Sequence, residues 1–438
     1  MFLFRIKLTL LLLLLPATLS AQSDLSMDQP PQGAGFDVSV SQMFDEDGTV
    51  LLVVSTAVPY RRLVFLKKGE RYEARYRVLV DVRDTKDRHV RGDAWEETVA
   101  ALDYGETKKT SSLSKSKRSF PVESGDYTVL VTLEVLDTSL EYTRRKKIRV
   151  LGYEEEGIGL SEPFFLISGD APQAEKPQAG VIVLSACPPR DSQAFSENPG
   201  AVYADFRSWP RLVVNLIGPP GHAQPERLTV STQITDPRKD MLLYNRSYVK
   251  PTKAGYVRLC LEFNIDEFPI GDYRVNMAVE SPEERKKTTT VGRFTILLNR
   301  SSLGRHFNDT LVLLSIIADD DDLAELRSAQ PDERYIAWRR FWKKQDSTPR
   351  TVANEDLEEF LRRVNYVLRH FSKRRPGWET DVGRIYIKYG RPDKIEEREG
   401  RNLGTNYLFW FYYSRGVLFI FEDTLGTGDF HLVATRQI

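Results

Sequence analysis

"FPVESGDYTVLVTLEV" at residues 120–135 returns as "FPIGDYRVNMAVE" at residues 268–280. Both copies run Phe-Pro-apolar, then Gly-Asp-Tyr, then a strand-like alternation. Each is followed by a Lys/Arg-rich stretch and a closing apolar run, "TRRKKIRV" (143–150) and "ERKKTTTVGRFTIL" (284–297). A pattern that recurs with its flanking context is the signature of a duplicated structural unit. The period of two and the β-branched residues make that unit a β-unit.

Working outward, the first unit is expected over residues 36–168. Runs such as "VLLVVSTAV" (50–58) and "ARYRVLVDVRD" (74–84) alternate between turn clusters, as half-buried antiparallel strands do. A Pro-rich linker over 169–195 leads to the second unit, 196–300. Gly-Asp-Tyr is similar to the entry of the penultimate strand in immunoglobulin-like sandwiches, where a Tyr hydroxyl ties the corner to nearby backbone. Tyr127 and Tyr273 are the expected corner residues, and the fold class expected here is two tandem antiparallel, immunoglobulin-like β-sandwiches. The basic clusters at 144–147 and 285–287 are expected on solvated hairpin turns.

From residue 301 the period becomes helical. In "PDERYIAWRRFWKKQD" (331–346), Tyr335, Trp338, Phe341 and Trp342 fall on one stripe behind Pro331 at a helix start. In "NEDLEEFLRRVNYVLRHFSKRR" (354–375), Leu357, Phe360, Leu361, Val364, Leu368 and Phe371 do the same, with acids first and bases last to suit the helix dipole. Upstream, "DTLVLLSIIADDDDLAELRSA" (309–329) predicts one helix and a short second, and Asp319 to Asp322 lack calcium-loop spacing. The end returns to strands, "YLFWFYY" (407–413), "VLFIFED" (417–423) and "FHLVAT" (430–435). The first of these is apolar on both faces and is expected to be central and covered on both sides. Residues 301–438 are thus expected to form an α+β domain, helices first and a small antiparallel sheet last.

Several classes of function are excluded or left without support. The 62 basic residues equal the 62 acidic ones among 438, so bulk charge proposes no nucleic-acid or anionic-membrane partner. The opening "MFLFRIKLTLLLLLLPATLSAQ" has the layout of a secretory signal with cleavage after Ala21, followed by a linker over 22–35. Removing Arg5 and Lys7 from the 62 bases leaves 60 against 62 acids. No later run is long enough for a membrane helix, so the mature chain is expected to be exported, periplasmic or extracellular. Cys187 and Cys260 either form one disulfide or stay free thiols; their spacing leaves both open. His89, His222, His306, His370 and His431 lack metal-ligand spacing, so no metal or cofactor is called for, and no catalytic residue is named.

The most motif-dense stretch is "RRPGWETDVGRIYIKYGRPD" (374–393). Pro376-Gly377 stops a helix and turns the chain, Trp378 has the area to fill a corner, and Thr380 with Asp381 suits a helix start. Val382, Ile385, Tyr386 and Tyr389 then follow helical spacing up to Gly390 and Pro392, although Ile385, Ile387 and Tyr389 also alternate as a strand would. Gly383 early in such a helix implies something packed close to its backbone.

Residues 305–435 resemble the GWxTD domain of exported bacterial proteins. The resemblance is carried by Gly377-Trp378-Glu379-Thr380-Asp381, "FWKKQDSTP" (341–349), "GRIYIKYGRPD" (383–393), the Trp410 to Tyr412 strand and "GTGDF" (426–430). Its motif positions here are Gly377, Trp378, Thr380, Asp381, Gly383, Arg384, Tyr386, Tyr389, Gly390, Pro392, Asp393, Trp410 and Tyr412. The helix-stop and strand pattern is also similar to small α+β outer-membrane-assembly lipoproteins of the BamE type. These resemblances imply an exported α+β domain and no particular reaction. The structural reading makes each motif residue part of a corner. The functional reading makes Asp381 a base or ligand, Trp378 a stacking platform, and His370 or Asp393 a partner of Asp381. The function expected is that of a non-enzymatic envelope protein binding another protein; the alternative is a secreted enzyme or glycan binder at Trp378 and Asp381.

Overall fold

A computed structural model describes residues 36–438 apart from 45–48, 109–111, 152–158, 169–175, 188–194, 218–227, 237–240, 250–255, 282–285, 348, 350–353, 374 and 401–403. The signal and linker expected over 1–35 lie outside the described residues. The chain is mostly β-sheet up to about residue 298, helical from there to residue 389, and closes in a four-stranded antiparallel sheet.

In the N-terminal region, Asp37–Phe44, Val50–Pro59 and Leu113–Pro121 form a three-stranded sheet. Leu66–Lys68, Arg71–Arg83, His89–Ala101, Gly125–Val135 and Glu141–Val150 form a second sheet, and both contribute to one core that holds Leu52, Val54, Tyr76, Val80, Val129 and Val131. The repeated Gly-Asp-Tyr opens Gly125–Val135 here and Gly271–Ser281 in the next unit. In each copy the Tyr hydroxyl donates to the carbonyl four residues earlier, Tyr127 to Glu123 O at 3.0 Å and Tyr273 to Pro269 O at 2.5 Å.

The second unit also pairs two sheets around one core. Its strands begin earlier than the sequence suggested. Gly159–Leu160 and Phe164–Ser168, expected in the first unit, pair with Pro210–Ile217. Ile182–Ala186, inside the expected linker, pairs with Tyr256–Phe263. Flanking prolines disguised this strand, although Ile-Val-Leu is good strand material. Cys187 and Cys260 are joined in a disulfide with Cα atoms 4.9 Å apart. One pairing is parallel, Val202–Ala204 beside Lys286–Leu298, where only antiparallel strands were expected.

The basic clusters also differ from expectation. Arg144 to Lys147 lie within the strand Glu141–Val150, and Lys286 and Lys287 open Lys286–Leu298, with residue 285 outside the described residues. A strand turns alternate residues outward, so a basic run sits on it without burying every charge. Arg144 and Lys146 share the face of buried Ile148 and Val150, and Arg144 donates to Phe36 O at 3.2 Å.

The C-terminal region starts with a short helix, Arg300–Leu303, capped by Asn299. It continues with α1 (Phe307–Leu314), α2 (Asp320–Ser328), α3 (Arg334–Gln345), α4 (Glu355–Phe371) and α5 (Asp381–Tyr389). The sheet is β1 (Lys394–Glu399), β2 (Asn406–Tyr412), β3 (Val417–Asp423) and β4 (His431–Gln437), paired in that order. Trp338, Phe341 and Trp342 of α3 and Phe360, Val364, Leu368 and Phe371 of α4 are buried in one core with Leu408, Trp410 and Tyr412 of β2. Each such side chain contributes about 1.5–3 kcal/mol of burial, so the helices and sheet hold each other. β2 is central as expected but covered on one face only. Its other face is half-buried, with Arg398 over the Phe409 ring at 4.6 Å. Among the described residues no helix is long and apolar enough to cross a membrane.

Candidate functional site

The motif-dense stretch forms the turn between α4 and α5. After Phe371, Gly377 N–H donates to Ser372 Oγ at 2.8 Å, and Gly377–Glu379 makes one 3-10 turn. The Thr380 hydroxyl then closes the corner in both directions. It donates to Gly377 O at 2.6 Å and accepts from Gly383 N–H at 3.0 Å, which caps α5. The predicted helix is therefore present and the alternative strand is not.

Two glycines permit the turn because nothing larger fits. A Cβ on Gly377 would lie 2.2 Å from Val367 O of α4, and a Cβ on Gly383 would lie 1.9 Å from Gly377 O. The close neighbour expected of Gly383 is thus the carbonyl of the other motif glycine.

Burial separates the remaining positions. Trp378 is 6% exposed and Trp410 1%, both in the core between helices and sheet. Trp410 packs against Phe371, Tyr386 and Phe421, and Tyr386 stacks on Tyr366 at 4.5 Å. Burial pushes the Tyr366 and Tyr412 phenols up from their ordinary range. The Tyr412 hydroxyl donates to Gly390 O at 2.8 Å, and Tyr389 packs between Tyr412 and Phe419. Gly390 ends α5 with φ at 80°, followed by buried Pro392. Arg384 and Asp393 are exposed, and Asp393 accepts from Tyr413 N–H at 2.7 Å.

Asp381, the first residue of α5, is half-exposed and accepts from Leu432 N–H of β4 at 2.9 Å. Neither partner suggested for it by sequence is the one it meets. His370 stacks on Tyr366 at 4.1 Å and bonds Tyr366 O, while Asp393, just before β1, accepts from Tyr413 N–H in the turn after β2. The side chain near Asp381 is His431, at 3.8 Å, which also lies 3.6 Å from Asp429. Only the fold brings these together; the signal in sequence was "GTGDFH" (426–431), read as a loop and a strand start. No cluster of three or more metal-ligating side chains occurs among the described residues.

Residues 304–431 match the GWxTD domain family. No curated protein matches the chain. Among solved structures, the chain is similar to dimeric latent PorU from Porphyromonas gingivalis at 9% identity and a TM-score of 0.23, over 62% of this chain and 21% of that one. It is also similar to the C-terminal domain of the Streptococcus agalactiae AgI/II polypeptide BspA, at 9% identity and a TM-score of 0.17, over 58% of this chain and 98% of that one. The chain spans about a fifth of the PorU chain it matches. Likeness at these scores carries no argument about fold or activity.

Proposed function

Because residues 304–431 form a GWxTD domain, we propose that this is an exported, non-enzymatic cell-envelope protein whose C-terminal domain binds another protein. The observation that carries the reading is the burial of Trp378 and Trp410 together with the engagement of Asp381 by a backbone N–H. A stacking platform must be open to its ligand, and these indoles fill the core instead. The Cys187–Cys260 disulfide supports an oxidising compartment, in line with the secretory layout of the first residues. As part of the same proposal, the two β-units are tandem immunoglobulin-like sandwiches that hold the C-terminal domain out to its partner. Their shared cores and matching Tyr corners support this. The alternative, a secreted enzyme or glycan binder around Trp378 and Asp381, is favoured by one observation, the approach of His431 to both Asp381 and Asp429.

The test is photo-crosslinking of the full chain in the intact envelope, with the crosslinking residue placed at Ile336 or Phe409 in the C-terminal domain, or at Tyr248 in the second β-unit. Discrete protein adducts from a C-terminal position are the expected result. Adducts from Tyr248 alone, or no protein adduct at any position, would overturn the reading.

A further inference from the structure

α3 is fastened to α2 by two ion pairs, Arg340 to Glu325 at 2.8 Å and Lys344 to Asp322 at 2.5 Å. Arg334, at its start, donates to Leu303 O at 3.1 Å. Arg339 and Lys343, one turn apart on the same helix, are exposed and have no such partner among the described residues. They border a cleft of about 460 Å³ between α3 and the start of α4. Its apolar lining is Ile336, Trp338, Trp342 and Leu357, with the two indoles edge to face at 5.7 Å. Ile336 is 53% exposed. The Trp338 and Trp342 indoles are 5% and 3% exposed and belong to the domain core, which leaves exposed Ile336 and half-buried Leu357 as the open apolar lining.

We propose that this cleft binds an acidic segment of a partner protein, with one aromatic or large aliphatic side chain seated against Ile336 and Leu357 and flanking carboxylates on Arg339 and Lys343. The inference rests on the protein-binding reading above and names the site and the partner chemistry. The volume suits a side-chain anchor, and apolar floors with a few placed polar groups are the usual form of such sites. Charge complementarity selects the segment: the free charges at the rim are both positive, and the acid at the far end, Asp346, already has a partner. A nucleic acid would need an extended basic track. The neighbouring cations of α3 are neutralised instead, and the whole chain balances 62 bases with 62 acids.

The experiment is fluorescence anisotropy on the full chain with two labelled peptides. One carries a single Phe flanked by Asp and Glu, and its twin replaces those acids with Asn and Gln. The acidic peptide is expected to bind about tenfold or more tightly than its twin, and Arg339→Glu with Lys343→Glu is expected to remove that preference. Both side chains are exposed, so the melting temperature of the double variant should match that of the parent and exclude misfolding as the cause. Ile336→Ser should weaken both peptides together. Equal binding of the two peptides, or an acidic preference that survives charge reversal, overturns the proposal. If neither peptide binds while adducts still form from Phe409, the cleft is wrong and the protein-binding reading stands. If adducts form from Tyr248 alone, the reading beneath it falls.

Discussion

Gly383 stands in the first turn of a helix, where glycine is about 1 kcal/mol worse than alanine in the ordinary case. At an open site Gly383→Ala would therefore stabilise. Here the added methyl would meet Gly377 O at 1.9 Å, and backbone on both sides leaves no flexible atom to move aside. We expect Gly383→Ala to lower stability by about 2 kcal/mol or more, the scale of overpacking a tight interior site, measured by urea denaturation of the full chain. A gain in stability would contradict the close approach. That Gly383 needs a neighbour was legible, because a helical glycine asks for a reason. Which neighbour was not, because the turn that folds Gly377 back over it depends on Thr380 bonding in both directions.

At the level of elements, α4 completes α5. Arg363 donates to Ile387 O and Lys388 O at 2.9 and 3.0 Å, satisfying carbonyls at the end of α5, and Glu359 holds Arg363 at 2.7 Å. Burial pushes the Glu359 carboxyl up, but hydrogen bonds and charge from Arg362 and Arg363 outweigh this and hold it below its ordinary value of 4.5. A carboxyl lowered in the folded state stabilises fully above its unfolded value, and that contribution is lost as pH falls through the folded one. Glu359→Gln should therefore be less stable than the parent at neutral pH and lose less on acidification below 4.5. Parallel stability curves for parent and variant would contradict this linkage. Most elements of this region were legible because their apolar residues keep one period throughout. β1 was not, since "KIEERE" (394–399) is nearly all charged and becomes a strand only beside β2, where Ile395 alone turns in. The basic clusters mislead for the converse reason: runs of charge suggest turns, while a strand with one solvated face accepts them equally well.

Across the whole molecule, the repeated Asp has two uses. In the first copy Asp126 makes an exposed pair with Arg149. In the second, Asp272 is buried, accepting from Arg293 and from the Thr295 hydroxyl, and Thr295 Oγ1 accepts from Arg369 of α4. Arg293 in turn donates to Arg369 O, and Arg369 donates to Gly200 O. Ile270, Leu297 and Leu298 of the second unit join the C-terminal core beside these bonds. The repeat was legible from sequence, but its second copy's role as the seat of the C-terminal domain was not, since Arg369 reads as one of several bases at a helix end. The central claim is that the signature around Trp378 and Asp381 holds this domain together and leaves binding to its surface. Differential scanning calorimetry of the full chain with Asp381→Ala tests it most directly. Loss of the bond to Leu432 N–H should remove about 1 kcal/mol and shift the C-terminal transition down by roughly 2–8 °C, leaving the β-unit transitions in place. An unchanged or raised C-terminal transition would contradict the claim, because residues kept for chemistry often leave the fold as stable or more stable when replaced.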